Sequence, residues 1–147
     1  GFAVVRYLDD GSVDMDFGVD GLATCAFSQG NDRANGIAVL DDGKIILSGY
    51  ASGAVGDSIA VTRLNSDGTV DGSFGTGGRV RAAIPNRNTI GQGMVVGSDG
   101  GIVVVGYSVP PFAVDPTAMV ARFTADGMLD VGFNGTGLRE LPVAGSV

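Results

Sequence analysis

The sequence contains no histidine and a single cysteine, Cys25. Serine–histidine–aspartate and cysteine–histidine catalytic sites both need an imidazole, so neither can be built from this chain. A zinc site with histidine ligands is excluded for the same reason. One thiol supplies neither an intrachain disulfide nor a cysteine-cluster metal site. We therefore expect no cofactor, with calcium as the one alternative discussed below.

Basic residues are also scarce, because 9 lysines and arginines stand against 16 acidic residues and give a net charge of −7. Nucleic acids and anionic membrane surfaces attract clusters of lysine and arginine, so we expect neither as a partner. No apolar run approaches the roughly 20 residues of a membrane span, and we expect no membrane insertion. The first residues, GFAVVRYLDD, lack the basic start and apolar stretch of a signal peptide.

Glycine, in contrast, is abundant, with 26 of 147 residues, and 44% of the chain is hydrophobic. Glycine weakens helix interiors and permits the positive φ angles of tight turns. Many glycines among valines and isoleucines indicate short strands joined by sharp turns. The length predicts one domain, 1–147, with a packed core.

One phrase recurs three times, beginning at Arg6, Arg63 and Arg122. Its copies are RYLDDGSVDMDFGVDG, RLNSDGTVDGSFGTGG and RFTADGMLDVGFNGTG. A second phrase occurs twice, as GIAVLDDGKIILSGY from Gly36 and GMVVGSDGGIVVVGY from Gly93. Repeats of this length indicate one structural unit per copy. The predicted units are half of one at 1–32 and two complete ones at 33–88 and 89–147.

Each complete unit is predicted to contain four strands. The second strand is an unbroken apolar run, which indicates burial on both faces. The fourth strand alternates, with Val80 and Ala82 on one face and Arg81 on the other, which indicates a half-exposed strand. An antiparallel meander of this kind is typical of a β-propeller blade. The predicted strands are 36–40, 45–47, 59–64 and 79–84 in one unit, 93–96, 102–105, 119–123 and 138–143 in the next, and 2–8 and 22–27 in the half unit.

The phrase resembles the delta-60 repeat proteins, a family of predicted β-propeller repeats common in bacterial surface and secreted proteins. The matching residues are Arg6-Tyr7, Asp10-Gly11-Ser12-Val13-Asp14 and Phe17-Gly18, with Arg63, Asp67-Gly68, Asp71 and Ser73-Phe74-Gly75 in the second copy. The third copy has Asn134 where glycine is usual, and asparagine tolerates the same left-handed turn. The resemblance implies an extracellular or cell-surface location and no particular activity.

Propellers close with about four to eight blades, so two and a half units predict an incomplete ring. Strand 2–8 is expected to present an unpaired edge, and such edges promote pairing with other chains. Three arrangements are open. The chain is a fragment of a longer propeller whose remaining blades come from another polypeptide, it assembles with copies of itself into a closed ring or stacked array, or it is an open, solenoid-like wedge.

The arginine of each phrase lies on an otherwise apolar strand, and a buried guanidinium must be paired. We predict a structural ion pair with the aspartate eight residues later, rather than a ligand site. The phenylalanine of each phrase is predicted to fill the core below the acidic turn. The predicted pairs are Arg6 with Asp14, Arg63 with Asp71, and Arg122 with Asp130, and the phenylalanines are Phe17, Phe74 and Phe133.

The acidic turn DDGSVDMD at 9–16 raises calcium binding as an alternative. Calcium takes about six to eight oxygen ligands, but this spacing fits neither the EF-hand loop nor the nonapeptide calcium repeat. The neighbouring arginine also competes for the carboxylates. Turn formation explains these aspartates, and the sequence predicts no metal. The candidates for calcium are Asp9, Asp10, Asp14 and Asp16.

The loop SVPPFAVDPT at 108–117 breaks the repeat length by two residues and is stiffened by proline. Loops vary while the scaffold stays fixed, so this loop is a candidate for partner contact. Its counterpart in the previous unit is ASGAVGD at 51–57, and both could be plain connectors. The candidate contact residues are Pro110, Pro111, Phe112 and Asp115.

These patterns favour a non-catalytic interaction or scaffold module, part of a larger bacterial secreted or surface protein, that binds protein or glycan through loops. One alternative is a glycosidase-like hydrolase, which needs two carboxyl groups about 5–9 Å apart. Glu140, the only glutamate, lies on the predicted outermost strand, so such a pair would have to be two aspartates, and the repeated aspartates already form turns. The other alternative is a purely structural module that assembles through its edge strands.

Overall fold

The computed structural model describes residues 1–112 and 115–141, in which all regular secondary structure is β-strand. These residues contain no helix long and apolar enough to cross a membrane. Ten strands occur in the described residues: β1 Phe2–Val5, β2 Leu22–Cys25, β3 Asp32–Val39, β4 Ile45–Ala51, β5 Ser58–Leu64, β6 Arg79–Ala82, β7 Asn88–Val96, β8 Ile102–Val109, β9 Thr117–Phe123 and β10 Leu138–Leu141.

The strands form three antiparallel sheets, each a meander in chain order. The first sheet pairs β1 with β2, the second contains β3 to β6, and the third contains β7 to β10. Turns of five residues join β3 to β4 and β7 to β8, and a short connection of this kind joins neighbouring strands only in the antiparallel direction. The predicted all-β class and the four-stranded blades are confirmed, and we call the three sheets the half-blade, blade 1 and blade 2.

The strand limits differ from the sequence prediction in a regular way. First strands begin earlier, at Asp32 and Asn88, and second strands continue to Ala51 and Val109. Strand β1 instead ends at Val5, because the chain turns early and the Leu8 amide donates to the Ser12 carbonyl at 2.8 Å. Hydropathy marked the buried centres of the strands, whereas backbone pairing continues through serine, glycine and asparagine.

The first strand of each blade, β3 in blade 1 and β7 in blade 2, carries a bulge opposite a glycine of the second strand. In blade 1 the register shifts between Ala34 and Gly36, and Gly49 lies across from Ala34. A Cβ atom on Gly49 would stand 1.9 Å from the Arg33 carbonyl oxygen. Gly106 is placed in the same way against the corresponding bulge of blade 2. The repeated Gly-Tyr pair therefore marks a position where only glycine allows the backbones to approach.

Blade 1 is packed between the other two sheets. Ile45 and Leu47 face the half-blade, whereas Ile46 between them faces blade 2. Burial of β4 on both faces is thus confirmed. In blade 2, Val104 is fully buried against blade 1, but Val105 is 48% exposed. The predicted enclosure is wrong for this outer face of β8, because no sheet in the described residues covers it.

The fourth strands alternate as predicted in the half-blade, where Ala23 and Cys25 are buried between exposed neighbours. Cys25 contacts the Thr62 hydroxyl at 3.3 Å inside the core and is a small buried side chain. Leu141 in blade 2 is exposed, because it lies on the uncovered outer face. Val143, which the sequence assigned to the same strand, lies outside the described residues.

Replacing Gly49 by alanine tests the close approach at the bulge. We expect Gly49→Ala to destabilise the chain by about 2 kcal/mol or more, because the new methyl group must displace a backbone carbonyl. Urea unfolding followed by far-UV circular dichroism measures the change. The control is Gly72→Ala, which adds its methyl group to open space and should cost less than about 0.5 kcal/mol. Equal losses in the two variants would contradict the bulge argument.

Candidate interaction site

Each repeated arginine forms an ion pair with the aspartate eight residues later. The backbone builds this geometry, since the amide of that aspartate donates to the carbonyl of the arginine and so fixes the carboxylate beside the guanidinium. The Nε to Oδ2 distances are 2.7 Å for Arg6 with Asp14, 2.7 Å for Arg63 with Asp71, and 3.0 Å for Arg122 with Asp130.

The same arginine also reaches the next blade. Arg63 Nη1 donates to the Ala125 carbonyl at 2.9 Å, and close by the Gly75 amide donates to the Asp126 carbonyl at 2.7 Å. These two hydrogen bonds join blade 1 to the acidic turn of blade 2. The half-blade is joined to blade 1 in the same way, with Arg6 Nη1 to the Ser66 carbonyl at 2.5 Å and the Gly18 amide to the Asp67 carbonyl at 2.7 Å.

A phenylalanine ring fills the space between arginine and turn. The Arg63 guanidinium carbon lies 4.9 Å from the centre of the fully buried Phe74 ring, an arrangement that suits a cation–π contact. The same ring lies against the turn of the next blade, where a Cβ atom on Gly127 would come within 2.8 Å of Phe74. Phe17 packs likewise below Arg6 and against Gly68. We call the arginine, aspartate and phenylalanine of one blade, with the turn of the next, the interblade latch.

The sequence alone identified one half of this latch. The aspartate partners follow from the repeat, but the acceptors in the next blade are main-chain carbonyls of Ser66 and Ala125. Because any residue supplies a carbonyl, those positions carry no shared side chain. The glycine that follows, Gly68 or Gly127, was the available signal, since its left-handed φ of 89° or 83° and its repetition mark a close contact.

The third copy of the latch has the arginine, aspartate and phenylalanine of blade 2, but no turn of a following blade in the described residues. Arg122 is 38% exposed, and its Nη2 donates to Asp99 of its own blade at 2.9 Å, whereas Arg63 Nη1 donates to a carbonyl of the next blade. Phe133 is half-buried, in contrast to its two buried counterparts. Asn134 has φ of 55°, the same as Gly75, so the left-handed turn expected at asparagine is confirmed. This end of the chain keeps the latch geometry without a covering turn in the described residues.

Asp71 is the most strongly held carboxylate of the repeat. Its Oδ2 accepts from Lys44 Nζ at 2.6 Å as well as from Arg63, and its Oδ1 accepts from the Ser73 hydroxyl at 2.6 Å. The hydrogen bonds from Lys44 and then Ser73, helped by Arg63, hold the pKa of Asp71 far below its ordinary value. The carboxylate therefore stays charged in the folded chain at every ordinary pH.

The calcium candidates of the first turn have local structural partners. Asp10 accepts from the Ser12 hydroxyl at 2.5 Å and the Ser12 amide at 2.9 Å, and these bonds lower the pKa of Asp10. Asp14 accepts from Arg6 and from the Asp16 amide, and Asp9 and Asp16 are exposed. Within residues 1–112 and 115–141, no three acidic or cysteine side chains converge as metal ligands would.

The lone glutamate, Glu140, is paired as well. Its carboxylate accepts from Arg87 Nη1 at 3.0 Å and from the Ser108 hydroxyl. It therefore joins the outer strand of blade 2 to β8 and to the turn before β7. This contact gives Glu140 a clear structural role at the edge of the blade.

Grooves between successive sheets repeat along the chain. One of about 430 Å³ runs between Arg79 and Met128, and one of about 660 Å³ runs between Leu22 and Val70. Both lie between the outer strand of one sheet and the acidic turn of the next. Their recurrence indicates that the spacing of the blades produces them.

The loop at 108–117 displays an aromatic side chain. Phe112 is fully exposed and has φ of 67°, a backbone region that few residues other than glycine adopt. Pro111 and Asp115 are exposed beside it, and Pro110 is half-buried. Three of the four candidate contact residues are thus exposed on one loop. In the matching loop, Val55 is equally exposed.

Removing the latch arginine should cost more inside the stack than at its end. The Arg63 side chain is only 12% exposed, so Arg63→Ala leaves the buried Asp71 and the Ala125 carbonyl with fewer donors. We expect a loss of about 3 kcal/mol. Arg122→Ala, at the half-exposed copy, should cost about 1 kcal/mol or less. Urea unfolding of both variants measures the difference, and equal losses would show that the contact to the next blade contributes nothing.

Acid should weaken the chain partly through Asp71. Because the folded pKa of Asp71 lies below the unfolded one, its contribution is complete above the unfolded value of about 4 and is lost as pH falls towards the folded value. Urea unfolding at pH 7, 5, 4 and 3 should show Asp71→Asn less stable than wild type at pH 7, with the gap closing towards pH 3. A constant gap would contradict this assignment. Asp16→Asn, at an exposed site, should match wild type at pH 7.

Comparison with known proteins adds one match. Residues 40–74 and 97–133 each match the family model described as domain of unknown function DUF5122, a β-propeller. Each segment ends at the latch phenylalanine, Phe74 or Phe133. No curated protein and no solved structure matches the chain. With the three stacked sheets, the match shows that the chain is built of repeated β-propeller blades.

Proposed function

We propose that the chain is a non-catalytic interaction and scaffold module that binds a protein or a glycan through a loop of its propeller blades. It is proposed to belong to a larger bacterial secreted or surface protein of the delta-60 kind. The observation that carries the proposal is that the repeated polar residues bond to one another within the scaffold, whereas the unrepeated residues of the Phe112 loop are exposed.

The repeated polar residues serve the scaffold. Arg63 is held by Asp71 on one side and by the Ala125 carbonyl on the other, and Phe74 is closed under Gly127. Arg63 Nη2 also donates to the Ser73 hydroxyl at 3.2 Å, so all three nitrogens of this guanidinium already have a partner within the scaffold. The same assignment holds for the pair Arg6 and Asp14. Regular blades of this kind form a rigid frame on which loops can differ.

The unrepeated residues supply the binding surface. The loop that contains Phe112 lengthens the repeat by two residues, and two consecutive prolines precede the aromatic side chain. Proline restricts the backbone, so less freedom is lost when a partner binds. Aromatic side chains are frequent hot spots of protein interfaces and stack on sugar rings through their apolar faces. An exposed phenylalanine on a stiffened loop fits both kinds of partner.

The proposed location rests on the resemblance of the phrase. The copy from Arg63, with Asp67-Gly68 and Ser73-Phe74-Gly75, is similar to the delta-60 repeats of bacterial surface and secreted proteins. The net charge of −7 fits a chain that carries no basic patch for nucleic acid.

Substitution of Phe112 tests the binding role. The wild-type chain is screened against a printed glycan array and a phage-displayed peptide library, and each ligand obtained is titrated by biolayer interferometry. We expect Phe112→Ala to weaken binding about tenfold or more, as loss of an aromatic hot spot does. Val55→Ala removes an equally exposed side chain from the matching loop and should bind as wild type does. Retained binding by Phe112→Ala, or an equal loss in both variants, would overturn the proposal.

A further inference from the structure

The outer strand of blade 1 carries two arginines, Arg79 and Arg81, that the corresponding strands of the other sheets lack. Those strands form without them, so the fold does not require arginine at either position. Because the repeated residues build the frame, these two unrepeated charges are candidates for a ligand contact. The residues at the matching positions are Leu22 and Thr24 in the half-blade, and Leu138 and Glu140 in blade 2.

In the described residues, neither arginine is neutralised by a carboxylate. Neutral oxygen atoms hold each guanidinium and leave one nitrogen, Nη2 of Arg79 and Nη1 of Arg81, without a partner among those residues. A guanidinium that is fixed and still charged loses little freedom when it binds an anion. The acceptors, at 2.8–3.1 Å, are the carbonyls of Ala26 and Gly77 for Arg79, and the Ser58 hydroxyl with the carbonyls of Ala51 and Ser52 for Arg81.

The two arginines line a groove of about 430 Å³ that lies across β6. The segment that follows β2 bounds it on one side, and the acidic turn of blade 2 bounds it on the other. The stacking of successive sheets of this chain therefore leaves the groove open. Between the arginines and the turn its wall is mainly apolar, and Met128 is 61% exposed. We call it the β6 groove and define it by Phe27, Arg79, Val80, Arg81, Met128 and Leu129.

The matching groove one repeat earlier differs in these same side chains. Leu22 and Thr24 line it where the two arginines stand in the β6 groove, and Thr69 takes the place of Met128. The β6 groove is therefore more positively charged than its counterpart and also more apolar on the side of the turn. The spacing of the blades produces both grooves, and the side chains suit this one to an anionic, partly apolar ligand.

The main chain at Arg81 can pair with an extended segment. The Arg79 amide donates to the Thr76 carbonyl at 3.3 Å, and the Thr76 amide donates to the Arg79 carbonyl at 2.8 Å, so these groups of Arg79 point away from β5. Hydrogen-bonding groups alternate along an antiparallel strand, which places those of Arg81 on the same side. Since β6 is the last strand of its sheet, no described strand pairs with them. Addition of a strand to such an edge is a common mode of peptide recognition.

The side chains of β6 alternate between the two sides of the groove. Val80 packs with Leu129 against the core between the blades, whereas Arg79 reaches the Ala26 carbonyl on the side of the half-blade. A peptide laid along β6 has the same alternation of side chains. It therefore matches the groove when an acidic residue lies beside the arginines and the next residue, which faces Val80 and Met128, is apolar.

We propose that the β6 groove binds an extended peptide segment in which acidic and apolar side chains alternate. Its carboxylates accept from the free nitrogens of Arg79 and Arg81, its apolar side chain packs on Val80 and Met128, and its backbone pairs with Arg81. An anionic glycan would satisfy the arginines but offers no strand to pair with this edge. The site uses no residue of the Phe112 loop and goes beyond the role proposed above.

Fluorescence anisotropy with labelled synthetic peptides of about eight residues tests this site in the wild-type chain. The probe alternates glutamate with valine, one control peptide alternates glutamine with valine, and the other alternates glutamate with serine. We expect the glutamate–valine peptide to bind about tenfold more tightly than either control, because each control lacks one of the two contacts. Its affinity should also fall as salt is added, since salt screens the arginine–carboxylate attraction.

A double substitution removes the two charges with residues that the fold already accepts. Arg79→Leu with Arg81→Thr gives β6 the side chains that the half-blade has at these positions, and should weaken binding of the glutamate–valine peptide about tenfold or more. The matched control is Arg33→Thr with Arg139→Thr, which removes two exposed arginines from other strands and should bind as wild type does. Circular dichroism verifies that both variants are folded.

Met128→Thr tests the apolar side of the groove at an exposed position. It introduces the threonine of the matching turn and should weaken binding of the glutamate–valine peptide about threefold, with no change for the glutamate–serine peptide. This variant and the wild-type peptide series keep the proposal testable even if the arginine variant does not fold.

Equal affinity of the wild-type chain for the glutamate–valine and glutamine–valine peptides would overturn the site, as would equal losses in the two double variants. An oligo-uronate that binds through Arg79 and Arg81, when the glutamate–valine peptide does not bind, would overturn the assignment of a peptide. Phe112→Ala should bind the peptide as wild type does. A chain without peptide binding that keeps its Phe112-dependent ligand would refute the β6 groove and leave the proposed function standing.

Discussion

The hydrogen bond from a latch arginine to a main-chain carbonyl of the next blade is the interaction on which the stack depends. Arg63 is nearly buried, and a buried guanidinium is costly unless its donors are satisfied. Asp71 balances the charge within the blade, and the Ala125 carbonyl takes a remaining donor across the interface. Three of its N–H groups have partners in the described residues, and the one that donates to the Ala125 carbonyl has its partner only when the neighbouring blade is docked, which ties the polar network to the packing of the sheets.

The apolar faces supply the larger share of the stabilising burial, and they set the order of the layers. Side chains along β4 alternate between the half-blade and blade 2, so one strand contributes to two cores. A sheet of this kind has no side that favours water, in contrast to an ordinary half-exposed sheet. Within residues 1–112 and 115–141, Val105 on the outer face of blade 2 and Tyr7 on the half-blade are exposed, since no described sheet covers them.

Function is best sought where the repeat is broken. The latch uses the repeated arginine, aspartate and phenylalanine for assembly, and the acidic turns use their carboxylates for local hydrogen bonds such as that of Asp10 with Ser12. The loop with Phe112 follows neither pattern. A rigid stack that carries one irregular, proline-stiffened loop separates the residues that build the frame from those free to contact a partner.

The amino-acid sequence by itself determined the class and the number of the sheets. Glycine turns and apolar runs reflect local backbone and side-chain preferences. Because the same turns and runs recur in each copy of the repeat, the sequence predicts them more than once. It also indicated the partner of each arginine, because Arg63 and Asp71 are joined by one tight turn. Only the tertiary structure decided which of the repeated strand faces are buried. Ile46 is buried and Val105 is exposed because a further sheet packs on the outer face of blade 1, whereas no described sheet packs on the outer face of blade 2. The tertiary structure alone revealed the carbonyl acceptors of the latch. Every residue has a main-chain carbonyl, so the residue type does not show which one accepts a hydrogen bond, and the position of that oxygen is set by the docking of whole blades.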